Sequence, residues 1–129
     1  DVAGLGGTHW GRIEGARAGD QTVQAVAAQT FADWGLSTCE SLLEGKSSSL
    51  SYELWASGGV RNGLDAAKLF AIGATKVGFA QPLLKAALDS EAELNRVMQQ
   101  LEFELRVALF CTGSRTPAEL RERKLWRWN

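Results

Sequence analysis

Cysteine is scarce in this 129-residue chain: Cys39 and Cys111 are too few and too far apart for a disulfide framework or a zinc site. Reduced thiols in a cytoplasmic protein are the expectation. Long apolar runs are missing too. No stretch of about 18 apolar residues occurs and no signal peptide is visible, which argues against a membrane span. Net charge is nearly absent, since 14 basic residues face 15 acidic ones. That balance gives no electrostatic reason to expect nucleic acid or a membrane surface as partner. Histidine occurs once, as His9 in a loop, and a general base would need a partner group that is not near it in sequence, so a solvated role is expected. An initial methionine is lacking as well. Asp1-Val2-Ala3-Gly4 reads as the end of a strand, and a cleaved or truncated chain is expected.

What is present belongs to one globular domain, with 45% hydrophobic and 22% charged residues. The organising stretch is Leu54-Trp55-Ala56-Ser57-Gly58-Gly59-Val60-Arg61-Asn62-Gly63: an apolar strand, a glycine turn, an arginine and a helix start. Glycines let backbone N–H groups approach an anion, and a helix N-terminus adds unpaired N–H groups and partial positive charge. Arg61 can clamp the same oxygens. The stretch reads as a phosphate cradle.

Around it, Gly4-Leu5-Gly6-Gly7-Thr8-His9-Trp10 is a glycine-rich loop, and Arg12 to Gly19 a surface segment or lid. Asp20 is the candidate cap for a helix from Thr22 to Asp33, with Val23, Val26, Ala27 and Phe31 on one face. Ser37 and Glu40 have the spacing of a capping box for a helix over residues 38–44, followed by a loop from Gly45 to Ser49. Strands are expected at Asp1–Gly4, Leu50–Ala56 and Thr75–Ala80. Helices are expected from Asn62 or Gly63 to Ile72, from Gln81-Pro82, over Glu91–Thr112, and from Thr116 or Pro117 to Arg123. The long helix has one apolar stripe through Leu94, Val97, Met98, Leu101, Leu105 and Ala108. A second runs through Phe103, Val107 and Phe110, so cover on two sides is expected. Strands alternating with helices indicate an α/β fold with a parallel sheet.

Four runs together resemble the type 2 isopentenyl-diphosphate Δ-isomerase family: Gly4-Leu5-Gly6-Gly7-Thr8-His9-Trp10, Phe31-Ala32-Asp33-Trp34-Gly35, Ala56 to Asp65, and Glu104-Leu105-Arg106-Val107-Ala108-Leu109-Phe110-Cys111-Thr112-Gly113. His9 departs from the serine or asparagine expected there. The resemblance implies that residues 1–129 form the C-terminal part of one FMN-binding (β/α)8 TIM-barrel domain. It would contribute about three parallel strands with helices, incomplete as a single chain because a whole barrel takes about 250 residues. By resemblance, Gly58, Gly59 and Arg61 form one half of an FMN-phosphate cup, the backbone at Phe79, Ala80 and Gln81 the other, and Thr8 meets the flavin from the preceding strand.

The implied reaction interconverts isopentenyl diphosphate and dimethylallyl diphosphate with FMN and Mg²⁺, and NADPH as flavin reductant. The residues for diphosphate binding, the substrate pocket and Mg²⁺ would lie upstream of Asp1, so no catalytic or metal-ligating residue is assigned here and the isolated chain should be silent. Expected partners are the substrate and either the missing N-terminal portion or a second copy, with a homo-oligomer as the assembly.

Two other readings remain. One is a half-barrel binding or assembly module that associates through open sheet edges. The other is a different FMN barrel, since 2-hydroxy-acid oxidases and inosine-monophosphate dehydrogenase also use a Ser-Gly-Gly cup. Trp10, Trp34 and Trp55 read as core or loop-anchoring groups. Glu14 and Glu53 read as surface residues although an acid pair is conceivable, and Asp65 as a response to the helix dipole. Arg121, Arg123, Lys124 and Arg127, interleaved with Glu119 and Glu122, read as a solvated helix end, and Trp126 with Trp128 as a subunit contact or a disordered tail.

Overall fold

The computed structural model describes residues 1–48 and 52–123. Three short strands, β1 (Val2–Ala3), β2 (Trp55–Ser57) and β3 (Lys76–Val77), form a parallel sheet in the order β1-β2-β3. The register pairs Val2 with Ala56 and Ala56 with Val77, so these three share one face. Ala3 pairs with Ser57 and Trp55 with Lys76, which places those four on the other.

Among the described residues, helices cover only the first face. Helix α3 (Thr38–Ser47) and helix α4 (Gly63–Ile72) pack there, around a core of Leu42, Ala56, Val60, Ala66, Leu69 and Ala74. The opposite face is largely exposed, with Trp55 44% exposed. Helices on one side of a parallel sheet are the arrangement of a barrel wall, whereas an open doubly wound sheet is covered on both. At the N-terminal end of the strands Trp55 Nε1 donates to Glu53 at 3.0 Å, and Lys76 sits 4.2 Å over the Trp55 ring. The Trp55 donor, then Lys76, holds the Glu53 carboxyl below its ordinary value.

A second core lies between α4, the long helix α6 (Glu91–Cys111) and α7 (Pro117–Glu122), built on Ala67, Ala108, Leu109 and Leu120. Gly63 is the point of closest approach: an added Cβ would stand 2.3 Å from the Leu101 carbonyl oxygen. Short helix α5 (Gln81–Asp89) joins β3 to α6 and packs on it. Between β1 and α3 the chain makes a hairpin of α1 (Trp10–Arg17) and α2 (Val23–Thr30). Arg12 ties it to the following turn through Ala32 O at 3.0 Å and Asp33 at 3.2 Å.

Several expectations need correction. The segment from Arg12 is mostly helix, and His9 caps it, its Nδ1 accepting from Arg12 N at 3.1 Å. Thr22, not Asp20, caps α2. The supposed inner face of α2 points outward, with Val23 83% exposed, because α2 meets Gly15 through Ala25 and Ala28. Helix α3 continues through Gly45 to Ser47, where a loop was expected. The strands are shorter than the apolar runs that announce them; residues 50 and 51 of the expected second strand lie outside the described residues. Trp10 and Trp34 are 71% and 77% exposed and belong to no core. The second stripe of α6 is exposed, with Phe110 at 86%, because among the described residues α4, α5 and α7 meet α6 or its core on the Leu101–Ala108 side. Lys124, Trp126, Arg127 and Trp128 lie outside the described residues, whereas Arg121 donates to Ala74 O at 3.2 Å.

Candidate anion site at the strand ends

Parallel strands deliver their C-terminal ends to one edge of the sheet, and the loops leaving β2 and β3 are therefore neighbours. After β2 the chain turns through Gly58 (φ 86°) and Gly59 (φ 77°), left-handed conformations that L side chains rarely adopt. The first glycine loop lies against this turn, backbone on backbone. A Cβ on Gly59 would come 2.8 Å from the Gly6 oxygen, and one on Gly7 would reach 2.6 Å from the Gly58 Cα. Two glycine-rich runs far apart in sequence are thus one feature in space.

The turn is held from below by Thr38, a buried residue in the first turn of α3, whose hydroxyl donates to Gly58 O at 2.7 Å. Thr38 is itself positioned by the expected capping box. Ser37 Oγ accepts from Glu40 N, and Glu40 accepts from Ser37 N at 2.8 Å, which lowers the Glu40 pKa from its ordinary value.

The start of α4 serves the cradle less than the sequence suggested, because the amides of Gly63 and Asp65 in its first turn, and that of Arg61 just before it, are already occupied. Asn62 Oδ1 accepts from Asp65 N at 2.8 Å, Asp65 accepts from Arg61 N at 3.2 Å, and Glu104 accepts from Gly63 N at 2.7 Å. Gln100 and then the Gly63 amide keep the Glu104 carboxyl below its ordinary pKa. Asp65 therefore has a backbone partner as well as the helix field expected for it.

Further open amides lie at the two loops. Among the described residues, those of Gly59 and Val60 meet no protein acceptor, nor do those of Gln81 and Leu83 at the start of α5. Ala80, the N-cap of α5, provides no side-chain cap, while α1, α2, α3, α4, α6 and α7 each have one. The Arg61 guanidinium bridges the two loops by donating to Gln81 Oε1. Two pairs of free N–H groups, a helix N-terminus and an exposed guanidinium form the chemistry of an oxyanion cup.

Of the residues singled out from sequence, Gly58, Gly59, Arg61, Ala80 and Gln81 come together at these two loops. Thr8 does not join them directly. It lines an open cleft of about 490 Å³ with His9, Trp10, Trp34 and Ser41, beside the end of β1. Glu14 pairs with Arg17 at 3.2 Å and Glu53 with Lys76 at 3.5 Å, so the two glutamates form no acid pair. Thr38 and Glu104 were missed. Each acts on a backbone group at least 20 residues away, and no local spacing announces that. Among the described residues, no group of three or more His, Cys, Asp or Glu side chains gathers where a metal ion could be held, and no helix is long and apolar enough to cross a membrane.

A family model described as FMN-dependent dehydrogenase matches residues 17–127. The chain is also similar to curated proteins named isopentenyl-diphosphate delta-isomerase. That of Legionella pneumophila (strain Corby) is 55% identical over 123 residues, 95% of this chain and 36% of the relative. That of Bdellovibrio bacteriovorus is 52% identical over 125 residues, 97% of this chain and 36% of the relative. That of a Synechococcus strain is 49% identical over 121 residues, 94% of this chain and 34% of the relative. The chain spans about a third of the length of these curated relatives.

Proposed function

Because the chain belongs to the FMN-dependent dehydrogenase family, we propose that its two glycine loops, Arg61 and the start of α5 grip the phosphate of FMN within a (β/α)8 barrel. In the complete protein that barrel interconverts isopentenyl diphosphate and dimethylallyl diphosphate. The observation that carries this reading is the bridge from Arg61 to Gln81, which joins the Gly58–Gly59 turn to the one helix start lacking a side-chain cap among the described residues. Barrel phosphate sites recur in the loops after the seventh and eighth strands, beside the N-terminus of a short extra helix. The order β2, β3, α5 supports that placement.

The residues present suit a phosphate. The amides of Gly59, Val60, Gln81 and Leu83, which meet no protein acceptor among the described residues, would hold its oxygens, the α5 dipole would favour its charge, and Arg61 would neutralise it. Thr8, on the adjoining loop, faces a cleft open enough for part of a flavin. Bound FMN would supply the proton chemistry of the isomerisation, and this chain's part is to hold and orient it. Mg²⁺ and NADPH complete the proposed set, and no residue of this chain is assigned to either. A homo-oligomer is the proposed assembly and the cytoplasm the proposed location.

The family description, a dehydrogenase, leaves a second reading, oxidation of a substrate by the same cofactor, for which a 2-hydroxy acid is the candidate. The likeness to the isopentenyl-diphosphate delta-isomerases supports the isomerase. The complete protein, reduced in the presence of FMN and Mg²⁺, should convert isopentenyl diphosphate to dimethylallyl diphosphate without net consumption of reductant. Flavin reduction by lactate or glycolate, with no isomer formed, would decide for the oxidase.

A further inference from the structure

We infer that Thr38 is a positioning residue for the anion cup, acting through the peptide plane between Gly58 and Gly59. The inference rests on the FMN-phosphate reading of that cup. In a planar trans peptide the carbonyl and the following N–H point in opposite directions. No cis peptide is present among the described residues, so a hydroxyl that fixes Gly58 O also fixes the direction of the Gly59 N–H. Thr38 Oγ1 does so at 2.7 Å, and the Gly59 N–H meets no protein acceptor among the described residues.

The plane needs an anchor. Both residues flanking it are glycines at positive φ, which tolerate rotated arrangements that other residues resist. A flipped peptide would present a carbonyl oxygen to the anion where a donor is required. The anchor is rigid at its other end. Thr38 is 7% exposed, lies one residue after the Ser37 cap, and has its nitrogen only 2.2 Å from where a Gly4 Cβ would be. The tight contact of β1 with α3 thus transmits the position of the sheet to the cup.

Binding of FMN and of riboflavin, which lacks the phosphate, to the complete protein separates this role from general damage. Thr38→Val keeps the shape and removes the donor; it should weaken FMN about tenfold and leave riboflavin within about twofold. Thr38→Ser, which keeps the hydroxyl, should restore FMN binding. Thr38→Cys, a weaker donor of similar size, serves if the valine variant does not fold, and should show a smaller loss confined to FMN. Equal loss of both ligands, or unchanged FMN affinity in the valine variant, overturns the inference. Arg61→Ala tells the two failures apart. If it selectively weakens FMN while Thr38→Val does not, the cup stands and the Thr38 role falls. If neither variant discriminates FMN from riboflavin, the phosphate is held elsewhere and both readings fall.

Discussion

Replacing Gly63 by alanine puts a methyl group where two helices cross. The new Cβ would lie 2.3 Å from the Leu101 oxygen, 2.5 Å from the Leu105 nitrogen and 2.6 Å from the Glu104 Cβ, against ordinary contact beginning at 3.4 Å. Two of these atoms are helical backbone, so no rotamer change relieves the clash, and α4 and α6 must separate by about 1 Å. Overpacking of this kind costs about 1–3 kcal/mol. Separation also strains the 2.7 Å bond from Gly63 N to Glu104, adding about 1 kcal/mol. Alanine's better helix propensity offsets at most about 1 kcal/mol. The net expectation is about 1–4 kcal/mol of lost stability in the complete protein. It would be read as a lower denaturant midpoint at unchanged slope. Glu104→Gln, which keeps the volume, should cost about 1 kcal/mol or less. An alanine variant within about 0.5 kcal/mol of the parent would refute the crossing geometry.

Arg61→Ala should weaken FMN by about 2 kcal/mol, roughly 30-fold, by flavin fluorescence titration; unchanged affinity would remove Arg61 from the cup. Glu104 has a folded pKa lowered by Gln100 and by the Gly63 amide. Its stabilising contribution is therefore complete above the ordinary value of 4.5 and fades as pH falls through that value and below. Glu104→Gln should flatten the acid limb of the stability profile in that window, and an unaltered limb contradicts the assignment. Ser37→Ala, by loss of the cap, should destabilise by about 1 kcal/mol in thermal denaturation, and no change would mean that the capping box adds nothing. Residues 1–129 expressed alone should self-associate, because among the described residues β1 and β3 each leave an edge without a strand partner and Phe103 and Phe110 are 68% and 86% exposed. A compact monomer in sedimentation would count against that.

Much of the local architecture was legible in the chain. A cap acts within three or four residues, so Ser37 with Glu40, Asn62 with Asp65, Ser90 with Glu93 and Thr116 with Glu119 all announce helix starts that the fold keeps. Consecutive glycines after an apolar strand announce a turn at positive φ for the same local reason. Alternation of strands and helices was enough for a parallel α/β sheet. Periodicity was a poorer guide to burial. An apolar stripe says that a face can be covered, and neither Phe110 on α6 nor Val23 on α2 finds cover within this chain.

The site was half local and half tertiary. Sequence alone determined which loop offers glycine amides and an arginine, because those depend on residue type and order. Only the tertiary structure decided which N–H groups remain free. Glu104, 41 residues from Gly63, consumes an amide of α4, while Ala80 leaves the start of α5 without a side-chain cap. A backbone donor is available or spent according to what the fold brings within 3 Å of it, and that distance is set by the packing of α6 on α4 and of β1 on α3.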